Sequence, residues 1–138
     1  MRYENKVYPT PEQFTALLDH EEDGPICMVN LLKFKDRAEY DDGRETSLSG
    51  EEAYQLYGSP MSEFVESKGG KIIYSSTVAG LILGEVEELW DAVAIAEYPS
   101  RQGFVDIATS AEVAEIGVHR SAGLAGQLNI ITKQNSWN

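Results

Sequence analysis

The stretch Pro25 to Phe34, PICMVNLLKF, is a nearly unbroken apolar run with one asparagine, Asn30, at its centre. Read as a strand over Ile26–Phe34, it has two mainly apolar faces. Ile26, Met28, Leu32 and Phe34 lie on one, and Cys27, Val29 and Leu31 on the other. Such a strand is buried on both sides. The carboxamide is then the anomaly, because a buried amide without partners costs about 1–3 kcal/mol. Asn30 is either paired within the protein or held ready for a ligand.

Before this strand, a helix is expected over about Thr10–Asp19, with Thr10 as N-cap, Pro11 at the first helical position and Gln13 completing a capping box. Gly24 and Pro25 end it after the acidic run. His20, beside Glu21, Glu22 and Asp23, reads as a solvated helix end, since no second histidine or cysteine stands at ligand spacing. After the strand comes a polar stretch, KDRAEYDDGRETSLSG, long enough to need a reason: a lid or a disordered excursion. Gly50–Lys68 carries Ala53, Leu56, Tyr57, Met61, Phe64 and Val65 at helical spacing. Pro60 interrupts it, either kinking it or forcing a restart capped by Ser59. The apolar stripe continues across the break, so one bent helix is expected. Gly69 and Gly70 then supply a left-handed termination.

Lys71–Leu83 reads as a strand stretch in which the serines and Gly80 imply a bulge or bend. In Trp90–Tyr98 the alternation puts Trp90, Ala92, Ala94, Ala96 and Tyr98 on one face. Small residues between two large aromatics leave room for a helix or something else to lie there. Pro99 stops this strand and Ser100 caps a short helix bearing Phe104, Val105 and Ile107. A further short helix starts near Ser110, and Leu128–Thr132 is the last strand.

Leaving aside the first helix, the order is strand, long helix, strand, strand, short helices, strand. That is a split βαβ arrangement: an α+β fold with an antiparallel sheet covered by helices on one face. The first strand is apolar on both sides, so the uncovered face must meet another apolar surface, most simply the same face of a second copy. A symmetric homodimer is expected. Residues 1–24 form a helical extension and residues 25–138 the domain.

At 138 residues, 42% of them apolar, the chain is expected to hold one ordinary core. Eleven basic against twenty-three acidic residues give a formal charge of −12, which opposes binding to nucleic acid or an anionic membrane surface. No apolar run is long enough to span a bilayer and the first residues lack a signal-peptide core, so a cytoplasmic protein is expected. The single cysteine, Cys27, reads as a small buried hydrophobe.

Five segments, PICMVNLLKF, SGEEAYQLYG, GGKI, WDAVAIAEYPSRQGF and HRSAGLAGQLNI, resemble in order the motifs of the family catalogued as domain of unknown function 1330. The resemblance spans about residues 25–132. It implies membership of the dimeric α+β barrel superfamily, in which two ferredoxin-like subunits pack sheet to sheet. It implies no reaction, since superfamily members include cofactor-independent monooxygenases, muconolactone isomerases and haem enzymes.

No Walker loop, GxSxG, HExxH or paired CxxC motif is present, and neither a metal nor a cofactor is expected. What remains is a set of polar residues at apolar places. Asn30, Tyr54 and Tyr98 are the candidate substrate-binding residues, with Tyr57 three residues after Tyr54 on the inner stripe. His119 and Arg120 are the candidate catalytic pair, the histidine to move a proton and the arginine to neutralise an anionic group. Glu115 lies one helical turn before His119 and is expected either to pair with it or to orient it. Lys33 and Arg101 sit at element ends, as solvated charges or as positive charge lent to a cavity. Two functions follow: a cofactor-independent enzyme acting on a small organic molecule between sheet and helices, or a homodimer that only binds a ligand or supports assembly.

Overall fold

The computed structural model describes residue 6, residues 8–19 and residues 24–136. In chain order the elements are α1 (Pro11–Leu18), β1 (Ile26–Phe34), α2 (Gly50–Ser67), β2 (Lys71–Thr77), β3 (Ala92–Tyr98), α3 (Arg101–Ala108), α4 (Ala111–Gly123) and β4 (Leu124–Thr132). The strands form one antiparallel sheet in the order β2-β3-β1-β4. With α2 joining β1 to β2 and two helices joining β3 to β4, this is the ferredoxin-like α+β arrangement. β1 is bonded to β3 on one edge and to β4 on the other, with the face of Ile26, Met28 and Leu32 buried within the single chain.

The core lies between sheet and helices. Ile26, Met28, Ala96 and Tyr98 from the sheet meet Val65 of α2 and Ile107 of α3, with Met61, Phe64, Phe104, Val113 and Ile131 packed around them. The helix starts obey local capping chemistry. Thr10 and Ser49 each close a capping box, with Gln13 and Glu52, and Ser100 and Ser110 each accept a backbone N–H. α2 runs unbroken through Pro60 with no restart at Ser59. Its end uses Gly69 at φ 89°, while Gly70 is needed for close approach: a Cβ there would lie 2.6 Å from the Glu97 carbonyl oxygen.

Three boundaries differ from expectation. β2 stops at Thr77 after a register shift between Ile72 and Tyr74, because Gly80 and the positive-φ Gly84 turn the chain away. Leu81, Ile82 and Leu83 are therefore exposed, Ile82 to 98%. β3 begins at Ala92; just before it the Asp91 N–H donates to the Leu32 carbonyl at 2.9 Å, its carbonyl accepts from the Val78 N–H at 2.8 Å, and its carboxylate accepts the Phe34 N–H at 2.8 Å. β4 begins at Leu124 because α4 passes straight into it, Leu124 already being extended.

The polar stretch after β1 is neither a lid nor a disordered excursion. Ala38 and Tyr40 are buried with Ala53 and Ala122 in a second small core, against Leu48. Backbone bonds from Ala38 to Leu48, Glu39 to Ala122 and Lys35 to Gly123 tie it down. Here α2 and α4 come together through glycine: a Cβ on Gly123 would lie 2.3 Å from the Gly50 carbonyl oxygen and 2.9 Å from the Tyr54 nitrogen.

The other sheet face has no helix over it among the described residues. Cross-strand partners bring Val29 and Leu31 of β1 beside Ile95 and Val93 of β3 and Ile130 and Leu128 of β4, with Tyr74 of β2 next to Ile95. Tyr74, Leu128 and Ile130 are exposed. α1 buries none of its residues, and Arg101 donates to the Leu17 carbonyl at its end. His20 lies outside the described residues. Among the described residues no helix is long and apolar enough to cross a membrane.

Candidate functional site

Asn30 faces the helices, in register with Ala94 of β3 and Asn129 of β4. Its amide nitrogen donates to the carbonyls of Met28 and Ala94, both at 3.3 Å. The small Ala94 side chain leaves the room in which the carboxamide lies. Its oxygen accepts from Gln127 Nε2 at 2.9 Å. The Gln127 oxygen in turn accepts from Arg120 Nε at 3.0 Å and Nη2 at 2.6 Å. A directed chain of hydrogen bonds thus runs from two sheet carbonyls through two carboxamides to the guanidinium. Each amide's orientation is set by the one before it.

Around this chain stand three phenols. α2 presents Tyr54 and Tyr57 one turn apart, with ring centroids separated by 5.5 Å, and Phe34 packs on Tyr54 at 5.6 Å. The Arg120 guanidinium lies 6.0 Å from the Tyr57 ring centroid. Tyr98, at the end of β3, rests edge-on against Phe104 at 5.0 Å and feels the charges of Tyr57, Tyr54 and Arg120. Burial pushes all three phenols above their ordinary pKa, and the Arg120 charge pulls each part of the way back.

Tyr57 and Tyr98 are only 9% and 4% exposed. Yet no hydrogen bond reaches the hydroxyl of Tyr54, Tyr57 or Tyr98 among the described residues. Among the described residues no fully enclosed side-chain oxygen lacks a partner, so each of these hydroxyls keeps some accessible surface. Chemically, the group offers neutral O–H donors beside a positive charge. Phenols held above their usual pKa at neutral pH donate hydrogen bonds without losing the proton.

Asn30, Tyr54, Tyr98 and Arg120 are therefore brought together, and His119 is not. Neighbouring residues on a helix point about 100° apart, and His119 turns towards the packed segment after β1. Its Nδ1 lies 2.6 Å from the Tyr40 hydroxyl and the rings meet edge to face at 5.5 Å. This contact stands in place of the expected pairing with Glu115. The Arg44 guanidinium lies over the Tyr40 ring at 4.4 Å from its centroid, paired with Asp42, whose carboxyl it pulls down to about 2. Lys33, near the end of β1, is engaged with Asp91, Glu88 and the Leu89 carbonyl. Cys27 is buried, and burial raises its thiol pKa.

Sequence reasoning missed two residues. Tyr40 was hidden in a polar stretch, where only the alternation of Ala38 and Tyr40 marks an inward face. Gln127 fell outside the last strand as read, although Gln127 and Asn129 repeat the pattern of a carboxamide in an apolar run. Two hollows lie elsewhere: one of about 310 Å³ among Phe64, Lys68, Ile107 and Glu112, the other of about 690 Å³ along Arg37–Ser47. No group of three or more potential metal ligands occurs among the described residues.

No protein-family model matches the chain, and no curated protein sequence matches it. Among solved structures, it is similar to the RPA0582 protein of unknown function from Rhodopseudomonas palustris, with 33% identity, TM-score 0.83, and coverage of 94% of this chain and 97% of that one. The methylated RPA0582 protein gives 36% identity and TM-score 0.85, over 95% and 96% of the two chains. A dimeric protein of unknown function and ferredoxin-like fold from Bacteroides fragilis NCTC 9343 matches at 14% identity and TM-score 0.45, over 80% and 97%. Sharing a third of its residues with RPA0582 over almost its whole length, the chain belongs to the same family.

Proposed function

We propose that the protein is a homodimer whose subunits each bind a small organic molecule between sheet and helices, at Tyr54, Tyr57, Tyr98 and Arg120. One observation carries this reading: three phenol hydroxyls without partners, gathered beside a guanidinium, two of them on rings that are almost entirely buried. Packing alone gives no reason for hydroxyls there, since phenylalanine would fill the same space without an unpaired polar group. Asn30, saturated by its own neighbours, supports the site and does not touch the ligand. The homodimer is supported by the uncovered sheet face, where Val29, Leu31, Val93, Ile95, Leu128 and Ile130 form an apolar layer. The five sequence motifs extend the family assignment to domain of unknown function 1330 and its sheet-to-sheet dimers. A cytoplasmic location suits the lone buried thiol.

The test is tyrosine-labelled NMR during a screen of small organic molecules. Binders should shift the Tyr54, Tyr57 and Tyr98 resonances together. Shifts confined to Tyr8, Tyr40 or Tyr74 would overturn the reading.

A second reading is catalysis without a cofactor, with His119, held 2.6 Å from Tyr40 and turned away from the phenols, swinging towards the site to move a proton. A phenol at this distance fixes the imidazole tautomer, which a proton-transferring histidine needs. Arg120 would neutralise the anionic group and the neutral phenols would polarise a carbonyl. Once a binder that turns over is found, His119→Ala should abolish turnover and leave binding intact; unchanged turnover would reduce the protein to a binding module.

A further inference from the structure

We infer that the segment between β2 and β3 is an arm that clasps a second copy of this chain, with its tip, Leu81–Leu83, packed on the partner subunit. The inference goes beyond the homodimer proposed above and rests on it. β2 and β3 are antiparallel neighbours, which a turn of a few residues can join. Here the connection runs over residues 78–91, long enough for a compact domain to need a use for it. Its base is closed by the Val78 N–H, which donates to the Asp91 carbonyl at 2.8 Å. Beyond that bond, Leu81, Ile82 and Leu83 are 46%, 98% and 91% exposed among the described residues. Apolar residues scattered singly over a surface are ordinary, but three in a row at a loop tip bring the single chain no burial. They suit a chain that buries them against another surface.

The root of the arm indicates which surface that is. Lys33 follows Val29 and Leu31 by alternation on the bare face of β1. Its ammonium holds Glu88 and Asp91 at 3.2 Å and the Leu89 carbonyl at 3.1 Å. The returning limb is thus pinned at the end of the bare apolar face, and Val78 and Asp91 continue the rows of Ser76 and Val93 on that face. An apolar tip springing from this rim extends the same surface towards whatever faces the sheet, and in the proposed dimer that is a second copy. Two-fold symmetry then returns the contact, so that each subunit is clasped once and clasps once. An anionic membrane is a poor alternative, because Glu85, Glu87 and Glu88 follow the tip and the chain as a whole carries −12.

Two measurements on the purified full chain test the arm. With Ile82→p-benzoylphenylalanine, illumination should join one copy to another, and the product should disappear when Ile130→Asp is added to separate the bare faces. Ile82→Ser combined with Leu83→Ser should weaken the dimer about tenfold or more in sedimentation equilibrium, the scale of apolar side chains returned to water. The circular dichroism spectrum should stay unchanged, since both side chains are exposed in the single chain. A dimer of unaltered affinity in the double variant would overturn the arm and leave the homodimer standing. So would an intact dimer that gives no cross-link, or cross-links that persist with Ile130→Asp as mere adhesion between apolar tips. Binding to phosphatidylcholine vesicles that the double variant loses, with its dimer unaffected, would assign the tip to a lipid surface and overturn the inference equally. A monomeric wild-type chain would overturn arm and homodimer together.

Discussion

Tyr98 separates stability from binding at a single atom. Its hydroxyl makes no hydrogen bond among the described residues, so Tyr98→Phe removes no bond and should change unfolding free energy by less than about 0.5 kcal/mol. Affinity for any ligand of the site should nonetheless fall. A loss of 1–3 kcal/mol on urea denaturation, the rough cost of breaking a buried hydrogen bond, would show a hydroxyl serving the fold. The phenols also make a pH prediction. Burial holds Tyr54, Tyr57 and Tyr98 above the ordinary value of 10.0. Above that pH the unfolded chain releases phenol protons that the folded chain keeps. The stability they confer is thus full below pH 10 and declines as pH rises towards the folded values, by about 1.4 kcal/mol per pH unit for each phenol. Tyrosinate absorbance should show a group titrating late, with urea midpoints falling over the same range; a single step near the ordinary value would contradict the burial.

At the scale of elements, the junction of α2 and α4 places the site. Gly50 and Gly123 let the two helices approach until their backbones touch, and Tyr54 and Arg120 each stand within a turn of that contact. Gly123→Ala must push the helices apart and should cost about 1–3 kcal/mol as an overpacked contact, lowering the melting temperature and weakening ligand binding together. A variant of unchanged stability would mean that the helices can shift freely. Much of this level was legible in the sequence. Ile26–Phe34 declared itself by two apolar faces, and Thr10 and Ser100 by capping chemistry, because these signals are local. Where the outcome depended on partners distant in the chain, legibility failed. Tyr40 is buried only because Ala122 and Ala53 lie across from it, and Gln127 matters only because Asn30 and Arg120 flank it in space. Asn30 was legible as an anomaly, but the choice between pairing and ligand needed the positions of Ala94 and Gln127.

The whole molecule carries an apolar sheet face that its own helices leave bare. Pairing that face with its copy would bury Leu128 and Ile130, which are 39% and 44% exposed in the single chain. Ile130→Asp should therefore convert a dimer to a monomer in analytical ultracentrifugation and leave the secondary structure intact. A wild-type monomer, or a dimer untouched by the substitution, would place the contact elsewhere. The proposed ligand site would lie on the opposite, helix-covered side of the sheet, so binding by the monomeric variant should persist. The central claim, that the space beside the three phenols is a binding site, is tested most directly by soaking crystals with a library of small organic molecules. The account predicts bound molecules with an oxygen within hydrogen-bond distance of the Tyr54, Tyr57 or Tyr98 hydroxyl. Occupancy only of the hollow at Phe64 and Lys68 or of the bare sheet face, with the phenols untouched, would contradict it.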